Sequence, residues 1–432
     1  MKLRNVFSKE DCLKVVLTLT GCLMIGLAGT VVAQQANADS VLTLLCKGVV
    51  VDAESGSPLS YASVLVTGTN RATVTNAEGE FSLRMPASYS HTKLMVSYMG
   101  YQNAYVTVGD FLNGKNRLRL KMIAVPLPEV NVVFKNAETL IQAMLNKRKE
   151  NYVEEPTLMT AFYRETIRKR RTYVGLLESV VDVYKFPYSS ERNDMASLFK
   201  VRKSTDYSKL DTIVFKLMGG PYNTLFSDVM KAPENLLTDN VFENYTFSFD
   251  RSTMLDDRQV YVLNFKQRPH LTEPLYYGKL FIDAQTLALV SAVYDLNLER
   301  RELSNNLFIR KRPLNAKVNV MKARYTVNYL NRGSEWYLGY SRVELDVSVN
   351  WKRRLFNTNY ESVMEMAVTD WTRNFRQDEF NAKNRLKPNV IVSDEVDGFT
   401  DGDFWGQSNV IEPDKSIEVA ISKIRKHLKN RK

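Results

Sequence analysis

EWYLGYSRVELDVSVNW, residues 335–351, closes on an alternation that decides the fold: Val347, Val349 and Trp351 fall on one face, Ser348 and Asn350 on the other. A period of two is the signature of a half-buried strand. Tyr245-Thr246-Phe247-Ser248-Phe249 repeats the pattern. Strand-like runs recur through residues 157–374, among them LMTAFYRETI, TYVGLLESVVDVYKF, DTIVFKLM, RQVYVLNFKQR, LALVSAVYDLNL and ESVMEMAVTDW. Short turns join neighbours directly: LDDRQ at 255–259, DAQTL at 283–287 and NRGSE at 331–335. Connections that short require antiparallel pairing. The expectation is a mainly β chain in which residues 136–374 form a helix plus one large, curved antiparallel sheet.

Helical periodicity is confined to a few places. NAETLIQAMLNKRKENY puts Leu140, Ile141, Met144 and Leu145 on one face, with Asn136 as the N-cap, and predicts a helix over 136–151 against the inner face of the sheet. GGPYNTLFSDVMKAPENLL, 219–237, is a shorter helix-like interruption. The C-terminal segment, 375–432, ends in a basic amphipathic helix with Asp414 as N-cap, Glu418 in the first turn, and Ile417, Ala420, Ile421, Ile424 and Leu428 on one face. Phe404-Trp405 is expected to pin this segment to the sheet.

The N-terminus reads as an export signal. Lys2, Arg4, Lys9 and Lys14 precede an uncharged apolar run from Val15 to Ala33, and the polar QQANADS follows. Cleavage is placed after Ala33, with Ala38 as the second choice. Leu19-Thr20-Gly21-Cys22 resembles the lipobox of bacterial lipoproteins and offers a lipid anchor at Cys22. The short apolar run before Cys22, and its continuation beyond, favour the Ala33 site. A chain processed at Ala33 keeps Cys46 as its lone cysteine, which excludes an intramolecular disulfide and fits a buried small hydrophobe. The formal net charge is +11. Residues 1–33 hold four basic and two acidic side chains, and the last ten residues hold six basic ones, leaving about +3 elsewhere. That distribution argues against nucleic acid as a partner and marks the tail for weak contact with an anionic membrane surface.

Residues 46–121 have the short runs and turn clusters of a β-sandwich, with Asn76-Ala77-Glu78-Gly79 fitting a tight turn. Gly48, Asp52, Gly56, Pro58-Leu59, Ala62, Val64, Gly68-Thr69, Thr75, Gly79, Phe81 and the block Ser97-Tyr98-Met99-Gly100-Tyr101 together resemble the carboxypeptidase regulatory-like domain. The resemblance implies a transthyretin-like β-sandwich that is non-catalytic and, in bacterial envelope proteins, appended to outer-membrane receptors and surface proteins. Residues 122–135, with Pro126 and Pro128, form a linker resembling the segment that follows this domain in envelope receptors. Tyr276–Asp283 followed by LALVSAVYDL is similar to lipoprotein-carrier-like half-barrels, in which a sheet wraps helices around an apolar cavity. More broadly, residues 136–432 resemble uncharacterised envelope proteins that follow the same domain.

His270-Leu271-Thr272-Glu273 has the H-x-x-E spacing of zinc carboxypeptidases. A catalytic zinc needs a third ligand, and only His91 and His427 lie outside the leader and this pair. Pro269 and Pro274 bracket the motif as in a strand-connecting loop, so the spacing is read as coincidental and no metal is assigned. Asp397, Asp401 and Asp403 resemble a calcium loop in composition and lack its register. No nucleophile elbow or phosphate loop occurs, so no catalytic residue and no cofactor are named. Tyr163, Tyr173, Tyr184, Tyr276, Tyr277, Trp336, Tyr337 and Tyr340 are read as tyrosines and tryptophans edging a β core, with a sugar- or lipid-binding surface as the alternative.

The composite reading is a non-enzymatic, exported binding or assembly module of the periplasm or outer membrane, with an envelope protein or a lipid as partner. The alternative is a lipid or lipoprotein carrier whose cavity is lined by Leu140, Ile141, Met144 and Leu145. On that alternative, a charge at Leu140 or Met144 abolishes uptake while the sheet still folds. A hydrolase is the third reading.

Overall fold

The computed structural model describes residues 43–112, 116–123, 134–170, 172–205, 220–308, 315–352, 355–380, 385–390, 392 and 404–429. The leader with Cys22 and Ala33, the strand expected at 211–218, residues 124–133 of the linker, and Asp397, Asp401 and Asp403 lie outside the described residues.

Seven short strands build the N-terminal sandwich: β1 (Thr43–Asp52), β2 (Ser63–Val66), β3 (Ala72–Val74), β4 (Glu80–Pro86), β5 (Lys93–Ser97), β6 (Ala104–Thr107) and β7 (Asn116–Leu120). They form two sheets, β4-β1-β7 and β3-β2-β5-β6. Inward residues such as Val50, Val64, Phe81, Leu94 and Val96 fill the space between them. Cys46 sits in this core, where burial raises its thiol to about 11 and keeps it protonated. Gly79 closes the turn expected at 76–79 with φ of 75°, and a Cβ there would meet the Val50 carbonyl oxygen at 2.4 Å. No other residue fits.

A third, larger sheet has ten strands among the described residues. β8 (Thr157–Lys169), β9 (Thr172–Lys185) and β10 (Met195–Thr205) come first. β11 (Tyr245–Leu255), β12 (Arg258–Gln267), β13 (Tyr276–Asp283), β14 (Leu289–Leu296), β15 (Ala316–Arg332), β16 (Glu335–Trp351) and β17 (Thr358–Arg373) follow as a meander. The order is β10-β9-β8-β17-β16-β15-β14-β13-β12-β11, so β17 returns to pair with β8 and the sheet stays open at β10 and β11. The pairings are antiparallel throughout, as the short turns require. The mainly β class, with a sandwich and a large open antiparallel sheet, is as expected.

Helix α1 (Ala137–Asn146) begins where Asn136 Oδ1 accepts the Thr139 amide at 2.8 Å. The helix expected over 136–151 breaks at Lys147 and resumes as α2 (Arg148–Asn151). Leu140, Ile141 and Met144 are buried in the main core, and Leu145 packs against it half-buried. The interruption at 219–237 contains α3 (Pro221–Leu225) and is followed by α4 (Val241–Asn244). The alternation in β11 runs from buried Tyr245 to exposed Phe249, because β11 is an edge.

A row of alternating charges crosses the outer face in exact register. Arg342 on β16 faces Glu365 on β17, Glu365 faces Arg164 on β8, Arg164 faces Glu178 on β9, and Glu178 faces Arg202 on β10. Arg164 Nε donates to Glu178 at 2.9 Å, and its Nη1 donates to Glu365 at 3.2 Å. Arg202 Nε donates to Glu178 at 2.7 Å, and the Tyr340 hydroxyl to Glu365 at 3.0 Å. Burial alone would raise the Glu178 carboxyl; the guanidiniums of Arg164 and Arg202 outweigh it and hold the group below its ordinary value.

Residues 404–414 lie between this row and the sandwich. On one side Arg164 Nη2 donates to the Ile411 carbonyl at 2.7 Å, Lys200 Nζ donates to the Trp405 carbonyl, and Trp405 packs edge-on to Phe162. On the other, Asn409 Oδ1 accepts the Arg84 amide at 2.6 Å, and Ser82 donates to Glu412. Trp405 thus anchors the segment as anticipated. Asp414 precedes helix α6 (Lys415–Lys429), but its carboxylate accepts the Ala77 amide of the sandwich. Tyr61 stacks on Tyr340 at 5.6 Å, and the Gly100 amide donates to the Met254 carbonyl, so sandwich and sheet also touch directly.

Candidate functional site

The inner face of the large sheet carries charge where an apolar core would be expected. Lys185 ends β9, Asp194 precedes β10, and Asp228 and Lys231 lie between α3 and α4; all four are buried. Lys185 Nζ is 2.8 Å from both Asp194 Oδ2 and Asp228 Oδ2. Asp228 also accepts the Tyr188 hydroxyl at 3.1 Å and the Tyr329 hydroxyl at 2.8 Å. Those hydroxyls accept in turn from the Leu338 and Met230 amides. Four charges summing to zero, each with hydrogen-bonded partners, is a form in which buried ions are tolerated.

Lys231 completes the set differently. Its Nζ donates to the carbonyls of Pro187 at 2.9 Å and Ser190 at 2.5 Å, rather than to a carboxylate. Burial pushes its amine down to about 8, with Asp194 acting in the opposite direction. Above this floor opens a cleft of about 530 Å³. Arg148, Arg192, Asn193 and Glu234 line it beside Tyr222 and Leu237. Arg148 Nε is buried there without a hydrogen-bond partner. The volume is in the range that small-molecule sites occupy. The arrangement offers a small ligand an amine, a guanidinium and amide donors on a floor locked by ion pairs.

A second buried titratable group sits on β8. Glu165 is surrounded by its register neighbours Leu177 and Met364 and accepts the Tyr163 hydroxyl at 3.1 Å. Burial raises its carboxyl to about 7, with the Tyr163 hydrogen bond working the other way. A carboxyl raised on folding binds its proton more tightly in the native state than in the unfolded chain. Stability therefore falls as pH rises from the unfolded value of 4.5 to about 7. Glu165→Gln is expected to match the wild type near the lower end of that window. It should exceed it by roughly 3 kcal/mol above the upper end. Urea unfolding across this pH window checks it, and a difference that stays flat with pH would sink it.

The sequence-based candidates fall elsewhere. His270 and Glu273 are exposed on the loop between β12 and β13, which Gln267 holds by donating to the Leu271 and Glu273 carbonyls. His91 is exposed in the sandwich, and the side chain of His427 lies outside the described residues. Among the described residues no group of three His, Cys, Asp or Glu side chains is placed to share a metal ion. Leu140, Ile141, Met144 and Leu145 line neither this cleft nor a second, open one of about 770 Å³ over β12–β15, beside Tyr277, Lys279 and Met321. Leu140 and Met144 are 0% and 1% exposed, so a charge at either strikes the core itself and cannot serve as a clean block of uptake. Of the aromatics, Tyr163, Tyr184, Trp336, Tyr337 and Tyr340 are buried, Tyr173 and Tyr276 half-buried, and Tyr277 exposed. Sequence reading missed Lys185, Asp194, Asp228 and Lys231. The available signal was a charge set inside apolar runs, in VVDVYKF and LFSDVM.

Residues 46–132 match the family model described as CarboxypepD_reg-like domain, so the sandwich belongs to that class of domain. No curated protein matches the chain by sequence. Among solved structures, the chain has a loose likeness to LolA superfamily protein NE2245 from Nitrosomonas europaea. The identity is 10% over 56% of this chain and 97% of that one, with a TM-score of 0.24. A DUF1329 family protein from Desulfovibrio piger shows 10% identity over 58% and 98%, also at 0.24. Lipovitellin shows 9% over 54% and 27%, at 0.25. Likeness at these scores is too loose to transfer a ligand or an activity.

Proposed function

We propose that this chain is an exported, non-enzymatic binding module of the cell envelope, whose ligand is a small, polar, hydrogen-bond-accepting molecule held on the inner face of the large sheet. The observation that carries the reading is the cleft over Lys231. Its floor is fixed by the Lys185–Asp194–Asp228 ion pairs, and its walls present Arg148, Arg192 and Asn193. The sandwich and residues 404–414 lie on the opposite face and leave the cleft clear. Export rests on the basic start and apolar run of residues 1–33. Native mass spectrometry of the protein, purified gently from its own cells as wild type and as Lys231→Met, tests the reading. A polar adduct present in the first and absent from the second is expected; two bare masses, or an adduct common to both, would overturn it.

A lipid carrier is the second reading. It is favoured by the open ten-stranded sheet, whose second cleft of about 770 Å³ lies beside Tyr277 and Met321. Co-purification of a stoichiometric acyl lipid in the same experiment would move the assignment there.

A further inference from the structure

The tip of the β16–β17 hairpin is apolar and unsheltered. β16 and β17 are joined by residues 352–357, in which Leu355 is 97% exposed and Phe356 78% exposed. Adjacent large apolar side chains left this far in water are unusual and mark a contact surface. The same turn is cationic, reading Lys352-Arg353-Arg354-Leu355-Phe356 without an acid.

Strand register brings a second basic turn beside it. Tyr360, two residues into β17, pairs with Lys169 at the end of β8, and Lys169 pairs with Thr172 of β9. The end of β8 and the two residues that follow it read Arg168-Lys169-Arg170-Arg171. The Arg170 amide donates to the Asn359 carbonyl, which ties the two turns together. Trp351 pairs with Ala316, so exposed Lys317 on β15 lies at the same end. Helix α5 (Arg301–Phe308) joins this end through Asn305, whose Oδ1 accepts the Val320 amide at 2.7 Å. Its Leu303 and Leu307 are exposed. The sandwich is elsewhere: it meets β17 near Asp370 and Trp371, at the other end of that strand.

We propose that this end of the sheet docks on an anionic phospholipid bilayer, with Leu355 and Phe356 entering the interface and the exposed cations Lys352, Arg170 and Lys317 facing lipid phosphates. Protruding apolar side chains with Lys and Arg at the same end of the sheet are complementary to a plane that is apolar below and negative above. Arg168 is paired with Glu361 and stabilises the turn rather than the contact. The mode is interfacial; among the described residues no helix is long and apolar enough to span.

Vesicle flotation of the full chain, with vesicles of phosphatidylethanolamine and phosphatidylglycerol, tests the proposal together with quenching by brominated lipid. Leu355→Ser/Phe356→Ser is expected to weaken binding on the order of a hundredfold. Lys352→Glu should weaken it on the order of tenfold and only at low salt. Thermal unfolding should stay unchanged for both, because these side chains are exposed. A tryptophan placed by Phe356→Trp should be quenched by brominated lipid beyond the wild-type signal. Binding unaltered by the double substitution, with that tryptophan unquenched, would assign attachment to the N-terminal segment and overturn the proposal. Absence of vesicle binding would overturn it in favour of a protein partner for the same tip.

Discussion

Replacing Arg164 with Met should destabilise the protein by about 3–5 kcal/mol, the size expected when one member of a buried, hydrogen-bonded ion network is removed. The guanidinium is 2% exposed and satisfies three acceptors at once: Glu178, Glu365 and the Ile411 carbonyl. Methionine fills the volume but leaves each carboxylate with one arginine, Arg202 for Glu178 and Arg342 for Glu365. It also frees the inner edge of residues 404–414. Urea unfolding measures the loss, and limited proteolysis should show earlier cleavage within 404–414. A double-mutant cycle with Glu178→Gln should show strong coupling, since the two side chains face each other in register. A loss below about 1 kcal/mol, or two additive substitutions, would mean that the row is not what joins β8 to its neighbours and the C-terminal segment.

The second large effect is expected at Asp228. Asp228→Ala removes the acceptor shared by Lys185, Tyr188 and Tyr329 and leaves the 2%-exposed ammonium of Lys185 with Asp194 alone. A loss of about 3–5 kcal/mol follows from the same reasoning. Asp228→Asn should lose less, because an amide oxygen still accepts from a tyrosine hydroxyl while the charge balance is broken. Any ligand of the cleft should be lost from the alanine variant at a temperature where it stays folded, because Lys231 is three residues on and its own amide donates to Asp228. Equal stability of the wild type and both variants would remove the ion cluster as the organiser of the inner face.

The two ion clusters differ in how far they could have been anticipated. Glu178 follows Arg164 by 14 positions, and Glu365 follows by 201. Alternation along β8 says which face Arg164 takes, yet nothing local says what lies opposite, because register between distant strands depends on every turn in between. In the same way Lys185 and Asp194 flank one loop, whereas Asp228 comes from a segment between α3 and α4 that folds back over the sheet.

Local chemistry was legible where it is local. Period-two alternation identified the long strands, short turns required antiparallel pairing, Asn136 announced the start of α1, and glycines and aromatics in register identified the regulatory-like sandwich. These signals depend on residues within a few positions of one another, so the chain carries them before it folds. Tertiary structure alone decided that β17 closes onto β8, that residues 404–414 lie between sandwich and sheet, and that the face of α1 is sealed in the core. It also decided that Arg148, Asp194, Lys231 and Leu237, far apart in the chain, line one cleft. The reason is physical: burial changes what a charged or apolar side chain does, and burial is set by partners that are far apart in the sequence.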